Sequence, residues 1–152
     1  MYSLDATLRS LGRVMARYAQ DNVVDFDENK TIEAAPLLKV WVSGTMEKPV
    51  TYNIGDVRTY ENQPWKCALT HTHHGEEGWN PLASRTLWAP YHAKKREYAL
   101  PYVQPTAAHD AYQNGEWMIW SDGNYYECIG NDVVHTPDVY PQGWNVYVEP
   151  NK

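Results

Sequence analysis

The sequence predicts a mainly β protein with two small three-stranded antiparallel β modules in tandem, preceded by an N-terminal α-helix. Three observations predict it: a heptad spacing in the first twenty residues, an internal repeat with a period near sixty, and frequent turn-forming residues after the helix. Ten prolines and nine glycines in 152 residues supply those turns. A unit of this size that occurs twice indicates tandem modules rather than a solenoid.

Residues 1–20 are predicted to form an amphipathic helix that begins at the N-cap Ser3, with Asp5 near the positive end of the helix. A helix of this length is marginal alone in water, so it needs a partner. It can pack on its own domain, or it can form a short parallel coiled coil that joins several copies. We expect a homo-oligomer through this helix, with a trimer as one form. The apolar residues, spaced 4, 3, 4 and 3 apart, are Leu4, Leu8, Leu11, Met15 and Tyr18.

The repeat reads "TYNIGDVRTYENQPWKCAL" in its first copy and "AYQNGEWMIWSDGNYYECIG" in its second. Each copy has two strand-like segments around a turn, and the Asp-Gly of the second turn is a strong hairpin signal. Farther along, we match Gly78-Trp79 with Gly143-Trp144. The predicted organisation is a helical segment at 1–20, a polar connector at 21–48, module 1 at 49–91, a linker at 92–104 and module 2 at 105–149.

Composition and charge exclude several classes of partner. The net charge is −6, and the longest basic run is Lys94-Lys95-Arg96, so we expect no binding to nucleic acid. No apolar run approaches the ~20 residues of a membrane span, and we expect no membrane partner. The N-terminus lacks the apolar core of a signal peptide, which predicts synthesis in the cytoplasm or exit within an assembly. Two cysteines are too few for a disulfide framework.

The first copy resembles the chitin-binding type 3 module, the small carbohydrate-binding domain of families 5 and 12 found on bacterial chitinases. The resemblance is carried by Y-x-x-G-D-V-x-x-Y, then an aromatic residue with Lys-Cys, then HT, GWNP and LW. The loop between Thr72 and Trp79 is longer than is usual in that family. The matching positions are Tyr52, Gly55, Asp56, Val57, Tyr60, Trp65, Lys66, Cys67, His71, Thr72, Gly78, Trp79, Pro81, Leu87 and Trp88.

The second copy resembles a more divergent version of this module in prophage proteins, where a phrase like "QPTAAHDAY" precedes it. The succession of helix, module, linker and module is similar to small phage structural proteins. The resemblance implies a virion or extracellular location and other virion proteins as partners. One departure bears on sugar binding by module 2: His135 stands where that version usually has Trp, and Asp138 replaces its Gly.

Aromatic side chains are the candidate binding groups, because the chain has seven Trp and twelve Tyr but one Phe. An exposed indole presents a flat apolar face that can stack on the C–H face of a pyranose. We expect Tyr60, Trp65 and Trp88, on predicted strands, to be core residues, and a core position is also the alternative for Trp79. The candidate carbohydrate-binding residues are Trp79 with His71, Thr72 and Pro81 in module 1, and Trp144 with Tyr140 and His135 in module 2.

The stretch "HTHH" raises the question of a metal site. His71 and His73 can point the same way on a strand, but two ligands fall short of the three or four of zinc sites unless a symmetric trimer combines them. Otherwise we expect His73 and His74 to be solvated loop residues. We predict no cofactor.

Catalysis is not expected, because consecutive Glu76 and Glu77 cannot flank a glycosidic bond. We therefore expect a non-enzymatic protein that binds polysaccharide, either chitin-like or a bacterial surface glycan. The alternatives are a structural virion fibre or decoration protein that has lost sugar binding, and an accessory protein of a polysaccharide-degrading system. Solvent exposure of Trp79 and Trp144 separates the first alternative from the main expectation.

Overall fold

The computed structural model describes residues 3–150, so the first two residues of the predicted helical segment lie outside the described part. As predicted, the described chain is mainly β, with small sheets behind an N-terminal helix. Its nine strands are β1 (Val50–Tyr52), β2 (Val57–Tyr60), β3 (Gln63–Cys67), β4 (His71–His73), β5 (Trp88–Pro90), β6 (Leu100–Pro101), β7 (Trp117–Ile119), β8 (Tyr125–Cys128) and β9 (Trp144–Tyr147).

Helix α1 spans Leu4–Asn22 and begins as the sequence predicts: the Ser3 hydroxyl accepts a hydrogen bond from the backbone N–H of Ala6 at 3.1 Å. A second helix, α2 (Glu28–Ala34), lies in the stretch that the sequence presents as a polar connector. Asp27 caps it by accepting the N–H of Lys30 at 2.8 Å. The connector is thus partly helical. Apolar periodicity does not predict α2, whereas the N-cap residue Asp27 marks where it begins.

Strands β2, β3 and β5 form an antiparallel sheet, and β1 pairs separately with β4. Glu61 and Asn62, both with positive φ (52° and 61°), close the β2–β3 hairpin. Strands β7, β8 and β9 form the second antiparallel sheet, and β6 adds to it in parallel with β7. Strand β6 comes from the predicted linker, so the second sheet has one strand more than expected.

We call residues 39–90 the first half and residues 100–147 the second half. Near the start of each half, the backbone N–H of an aromatic residue donates to a strand of the antiparallel sheet: Trp41 to β2 at 2.8 Å and Tyr102 to β7 at 2.9 Å. The ring of Trp41 meets Tyr60 edge to face at 5.4 Å, and that of Tyr102 meets Trp120 at 5.0 Å. These shared contacts begin upstream of the predicted module starts.

Three groups of buried side chains fill the interior. Trp65 and Trp88 are buried as expected, whereas Tyr60 is half-buried at the edge of the first group. The first group is Tyr52, Trp65, Cys67, Leu87, Trp88 and Val103; the second is Tyr112, Met118, Cys128, Val133 and Trp144; the third, beneath the helices, is Ala19, Val23, Leu38 and Val57.

The predicted linker is built into this interior rather than hanging free between the halves. Val103 packs in the first buried group, and its N–H donates to the hydroxyl of Tyr112 in the second at 3.2 Å. Arg85 of the first half donates to the carbonyl of Gln104 at 2.8 Å, and its guanidinium lies 3.7 Å from the carboxylate of Asp110. The two halves are therefore held together by core packing and by charged hydrogen bonds.

Asp110 is a buried carboxylate with a full set of donors. It accepts the backbone N–H groups of Thr106 and Ala107 and the hydroxyl of Thr106, at 2.8–3.0 Å. Burial acts to raise the pKa of Asp110, but these hydrogen bonds outweigh it and hold the pKa below the ordinary value of 3.8. The carboxylate is thus the form that the fold stabilises.

Replacing Asp110 by Ala should lower the free energy of unfolding by about 1–3 kcal/mol at neutral pH, because buried N–H and O–H donors lose their acceptor. Urea denaturation measures this, and exposed Asp138→Ala is the control. Since the folded pKa lies below the unfolded one, the contribution of Asp110 is fully present above pH ~4 and is lost as the pH falls through the folded pKa. An Asp110→Asn variant should therefore differ most from wild type at neutral pH. If the difference in unfolding free energy between Asp110→Asn and wild type grew as the pH fell, this assignment would be contradicted.

Candidate functional site

The "HTHH" stretch is an ordered strand rather than a loose loop. In β4, His71 is paired with Tyr52 and His73 with Val50 of β1. The two imidazoles share one face of the strand, as predicted, and the ring of Trp79 lies beside both, with centroid distances of 6.2 and 6.3 Å. We call the imidazoles of His71 and His73 the imidazole platform of Trp79.

His73 is buried, with 1% of its surface exposed, so the prediction that it is solvated is wrong. Its Nδ1 accepts the N–H of Gly44 at 2.8 Å, and its Nε2–H donates to the carbonyl of Glu76 at 3.1 Å. A Cβ on Gly44 would lie 1.9 Å from the carbonyl oxygen of His73, which explains why glycine is required there. Both ring nitrogens are occupied, so His73 ties two distant segments together and has no lone pair for a metal.

His71 is half-buried, and its Nδ1–H donates to the carbonyl of Leu69 at 2.6 Å. Its ring packs against Tyr52 and meets Trp88 edge to face at 5.7 Å. With Nδ1 protonated, Nε2 is an acceptor, and no donor among residues 3–150 reaches it. His71 is therefore fixed in orientation next to Trp79, and its Nε2 is buried.

The two acidic residues of the following loop, Glu76 and Glu77, lie in different surroundings. Glu76 accepts the N–H of His74 at 2.6 Å and the His74 ring nitrogen at 3.1 Å. The backbone hydrogen bond from His74 is the largest cause that lowers the pKa of Glu76, so this residue is held as a carboxylate. Glu77 is exposed. Within residues 3–150, no three or more His, Cys, Asp or Glu side chains are grouped as metal ligands.

Trp79 is an exposed tryptophan of the first half, with 36% of its surface accessible. The loop that carries it turns at Gly75 and Gly78, whose φ angles of 103° and 79° favour glycine. The ring of Trp79 meets that of His71 at 74° and that of His73 at 55°, so the two imidazoles hold the indole in place. This side chain is thus partly accessible on a fixed support.

Two other predicted residues of this half are not placed to touch a ligand beside Trp79. Thr72 points to the opposite face of β4, where its hydroxyl shares a hydrogen bond with that of Thr51 at 2.9 Å. Pro81 is fully buried and supports the loop from within. The structure thus brings together Trp79 and His71 and leaves Thr72 and Pro81 outside the surface that they were expected to shape.

The prediction that Trp144 is the stacking residue of the second half is wrong, because only 5% of its surface is exposed. Its Nε1–H donates to the carbonyl of His135 at 3.0 Å. Trp144 pairs across the sheet with Cys128, as Trp88 pairs with Cys67. Its structural counterpart is therefore the buried Trp88, and matching the two Gly-Trp dipeptides misaligned the halves.

His135 occupies the place that corresponds to Trp79. The carbonyl of Asn80 accepts N–H groups three and four residues later, and the carbonyl of Thr136 does the same in the second half. Trp79-Asn80-Pro81 thus corresponds to His135-Thr136-Pro137. His135 is exposed and Tyr140 is 42% exposed, so both predicted residues are accessible although the indole of Trp144 is not.

The sequence analysis missed a set of exposed apolar residues in the first half. Ile54 and Leu69 are 68% and 51% exposed, and Leu82 of the Trp79 loop is 48% exposed. Ile54 is joined to the start of β4, because its N–H donates to the Thr70 hydroxyl at 2.9 Å. Comparing the two repeats position by position would have found them. Their counterparts in the second half are Asn114, Gly130 and Asp138.

Comparisons with known proteins add little. No family model matches the chain, and no curated protein matches it. One solved structure that matches in part is a family GH18 chitinase from Chromobacterium violaceum, with 32% identity over 41% of this chain and a TM-score of 0.30. The matched segment is 17% of the chitinase chain. With so low a TM-score, we base neither fold nor function on this match.

Replacing His73 by Ala should lower the free energy of unfolding by about 2–4 kcal/mol, because it leaves a cavity and the buried N–H of Gly44 without an acceptor. The loop should also loosen, so iodide should quench Trp fluorescence more strongly than in wild type. The matched control is the adjacent, half-buried His74→Ala, which should change both measurements less. Equal effects of the two substitutions would contradict the role assigned to His73.

Zinc should leave the protein unchanged, because both nitrogens of His73 are engaged and His71 offers one lone pair. A zinc titration followed by thermal unfolding should show no rise in Tm, whereas a ligand specific to the folded state raises it. A saturable rise that disappears in His71→Ala would contradict this reading of the platform.

Proposed function

We propose that this protein is a non-catalytic carbohydrate-binding protein that holds a polysaccharide by stacking on Trp79. The observation that carries the proposal is the partly exposed indole of Trp79 on its platform of His71 and His73. A fully covered Trp buries on the order of 150–250 Å², and its two side-chain torsions lose little freedom on binding. A β-linked polysaccharide presents C–H faces of its sugars repeatedly to such a ring.

The two halves are two copies of one small three-stranded antiparallel module, each extended by an N-terminal aromatic segment. Their equivalent hydrogen bonds support this: the N–H of Gly55 donates to the carbonyl of Cys67 and that of Gly115 to the carbonyl of Cys128, both at 2.8 Å. The resemblance to the chitin-binding type 3 module rests on the residues of the first copy and makes a chitin-like polysaccharide or a bacterial surface glycan the ligand class.

The copies differ where binding is proposed. The first copy exposes Trp79, Ile54 and Leu69, whereas the second copy has His135, Asn114 and Gly130 at the matching places. An imidazole has less flat apolar area than an indole. The first module is therefore the sugar-binding one, and the second positions it and offers at most Tyr140 and His135.

Two observations support a binding protein rather than an enzyme or a nucleic-acid partner. The hydrogen bond from the His74 backbone lowers the pKa of Glu76, which disfavours this residue as the protonated acid of a glycosidase. The net charge of −6 disfavours a phosphate backbone.

Among residues 3–150, no helix is both long and apolar enough to cross a bilayer.

The proposed setting is a phage or prophage virion, or the extracellular space, with other virion proteins as neighbours. It rests on the phrase "QPTAAHDAY" and on the order of helix and modules. Burial of Trp144 favours a second candidate, a structural fibre or decoration protein whose modules have lost sugar binding. An accessory protein of a polysaccharide-degrading system would instead be monomeric and bind insoluble chitin.

Trp79→Ala should weaken retention on insoluble chitin or on purified bacterial cell walls at least tenfold, which corresponds to about 1.4 kcal/mol of lost stacking. Depletion of protein from the supernatant measures it. His135→Ala, at the corresponding exposed position, is the matched control and should bind like wild type. If Trp79→Ala binds as well as wild type, the stacking proposal fails; if wild type binds neither material, the structural candidate replaces it.

A further inference from the structure

The outer part of α1 has no cover from its own chain. Burial begins only at Ala19, near the end of the helix, and every described residue before it is exposed or half-buried. The apolar seam is 49–76% exposed, and Val14 next to it is 64% exposed. The seam residues are Leu4, Leu8, Leu11, Met15 and Tyr18.

Such a helix does not persist in water by its own propensity. Isolated helices shorter than ~12–15 residues are marginal, and Gly12 in the middle of the exposed part costs about 1 kcal/mol relative to Ala. Ser3 capping and the Asp5–Arg9 ion pair contribute less than the packing of an apolar face would. The seam therefore requires a partner that covers it.

The shape of the seam identifies the kind of partner. The apolar residues of α1 keep the strict 4-3 spacing of a coiled-coil seam, which points to helices of the same kind as partners. The other possible occupant, a membrane surface, is separated by the vesicle experiment below. With Leu4, Leu11 and Tyr18 at d positions and Leu8 and Met15 at a positions, the arginines fall at outer positions of the heptad. These are Arg9, Arg13 and Arg17, at b, f and c.

We propose that three copies of this chain associate through α1 as a parallel coiled coil. In coiled coils, charged residues at e and g form the interhelical ion pairs beside the seam. Here the central flanking positions are uncharged, with Thr7 and Val14 at g and Gly12 at e, so a third helix can pack against them without burying a charge. Self-association also explains why the seam is apolar at every a and d position from Leu4 to Tyr18.

A groove at the foot of the helix widens the same surface. It has a volume of about 570 Å³ and lies between the end of α1 and the α2 region. Met15 and Tyr18 belong to both seam and groove, and Phe26 and Leu37 form its far wall. A neighbouring helix that follows the seam in parallel meets this groove with its own last turns, next to the globular part of the first chain.

A parallel arrangement places the three globular parts at one end of the coil. Three copies of the Trp79 surface then face a polymer together, which can raise avidity ~10²–10⁴-fold where the geometry allows simultaneous contact. This consequence rests on the proposed function, whereas the association itself does not.

Sedimentation velocity at tens of micromolar tests the association without any glycan. Wild type should have three times the 17.5 kDa mass of one chain. Leu11→Glu, at the centre of the seam, should be monomeric and lose helical circular dichroism while near-UV signals of the β part stay unchanged. Ser10→Glu adds the same charge at the outer c position and should remain trimeric.

The orientation is tested by Leu4→Cys oxidised under native conditions, since Cys67 and Cys128 are buried. A parallel coil brings equal d positions together and gives a disulfide-linked dimer band on a non-reducing gel. A monomeric or dimeric wild type, a trimeric Leu11→Glu, or no cross-link at Leu4 would overturn the proposal, as would a monomer that binds anionic vesicles. A short soluble oligosaccharide occupies one Trp79 site at a time, so its weak affinity should be the same for wild type and Leu11→Glu. This measurement distinguishes a failure of the association from a failure of the proposed sugar binding.

Discussion

A buried tyrosine meets a buried tryptophan edge to face in each half of the chain, Tyr52 with Trp88 at 5.0 Å and Tyr112 with Trp144 at 5.2 Å. Sheets of three or four very short strands enclose little volume, so a few large rings must supply most of the buried apolar area. The rest of each half is arranged around this contact. The tryptophan sits on the last strand of its sheet, opposite a buried cysteine, and the tyrosine hydroxyl bonds to the segment that precedes its sheet.

This constraint decides which aromatic residues are free for binding. A ring that fills the core cannot also stack on a sugar, so Trp88 and Trp144 are committed to folding. Trp79 is available because it stands on a loop that leaves the sheet after β4. In the second half the corresponding loop is shorter: His135 follows Cys128 by seven positions, whereas Trp79 follows Cys67 by twelve. The shorter loop brings the carbonyl of His135 onto the indole N–H of Trp144 and leaves no room for a second platform.

The sequence predicts much of this fold because its signals are local. Heptad spacing and Ser3 define α1, and the repeated motif with its turns defines the two sheets. The errors arise where long-range contacts decide. His73 is buried because Gly44, twenty-nine positions away, donates to its ring, and no local pattern reveals that bond. The matching Gly-Trp dipeptides predict an exposed Trp144, but the difference in loop length places this indole in the core. The exposure of Trp79 agrees with the prediction, since its glycine-flanked polar loop is a local feature.

The two cysteines have a consequence for the chemistry of the surface. Cys67 and Cys128 are 1% and 0% exposed, and each thiol donates to the carbonyl two residues farther along. Burial is the largest cause that raises the pKa of both thiols, so the reactive thiolate is scarce. Oxidants and foreign disulfides therefore find no accessible thiol on the folded protein. Many copies can stand side by side in an oxidising medium and remain covalently separate.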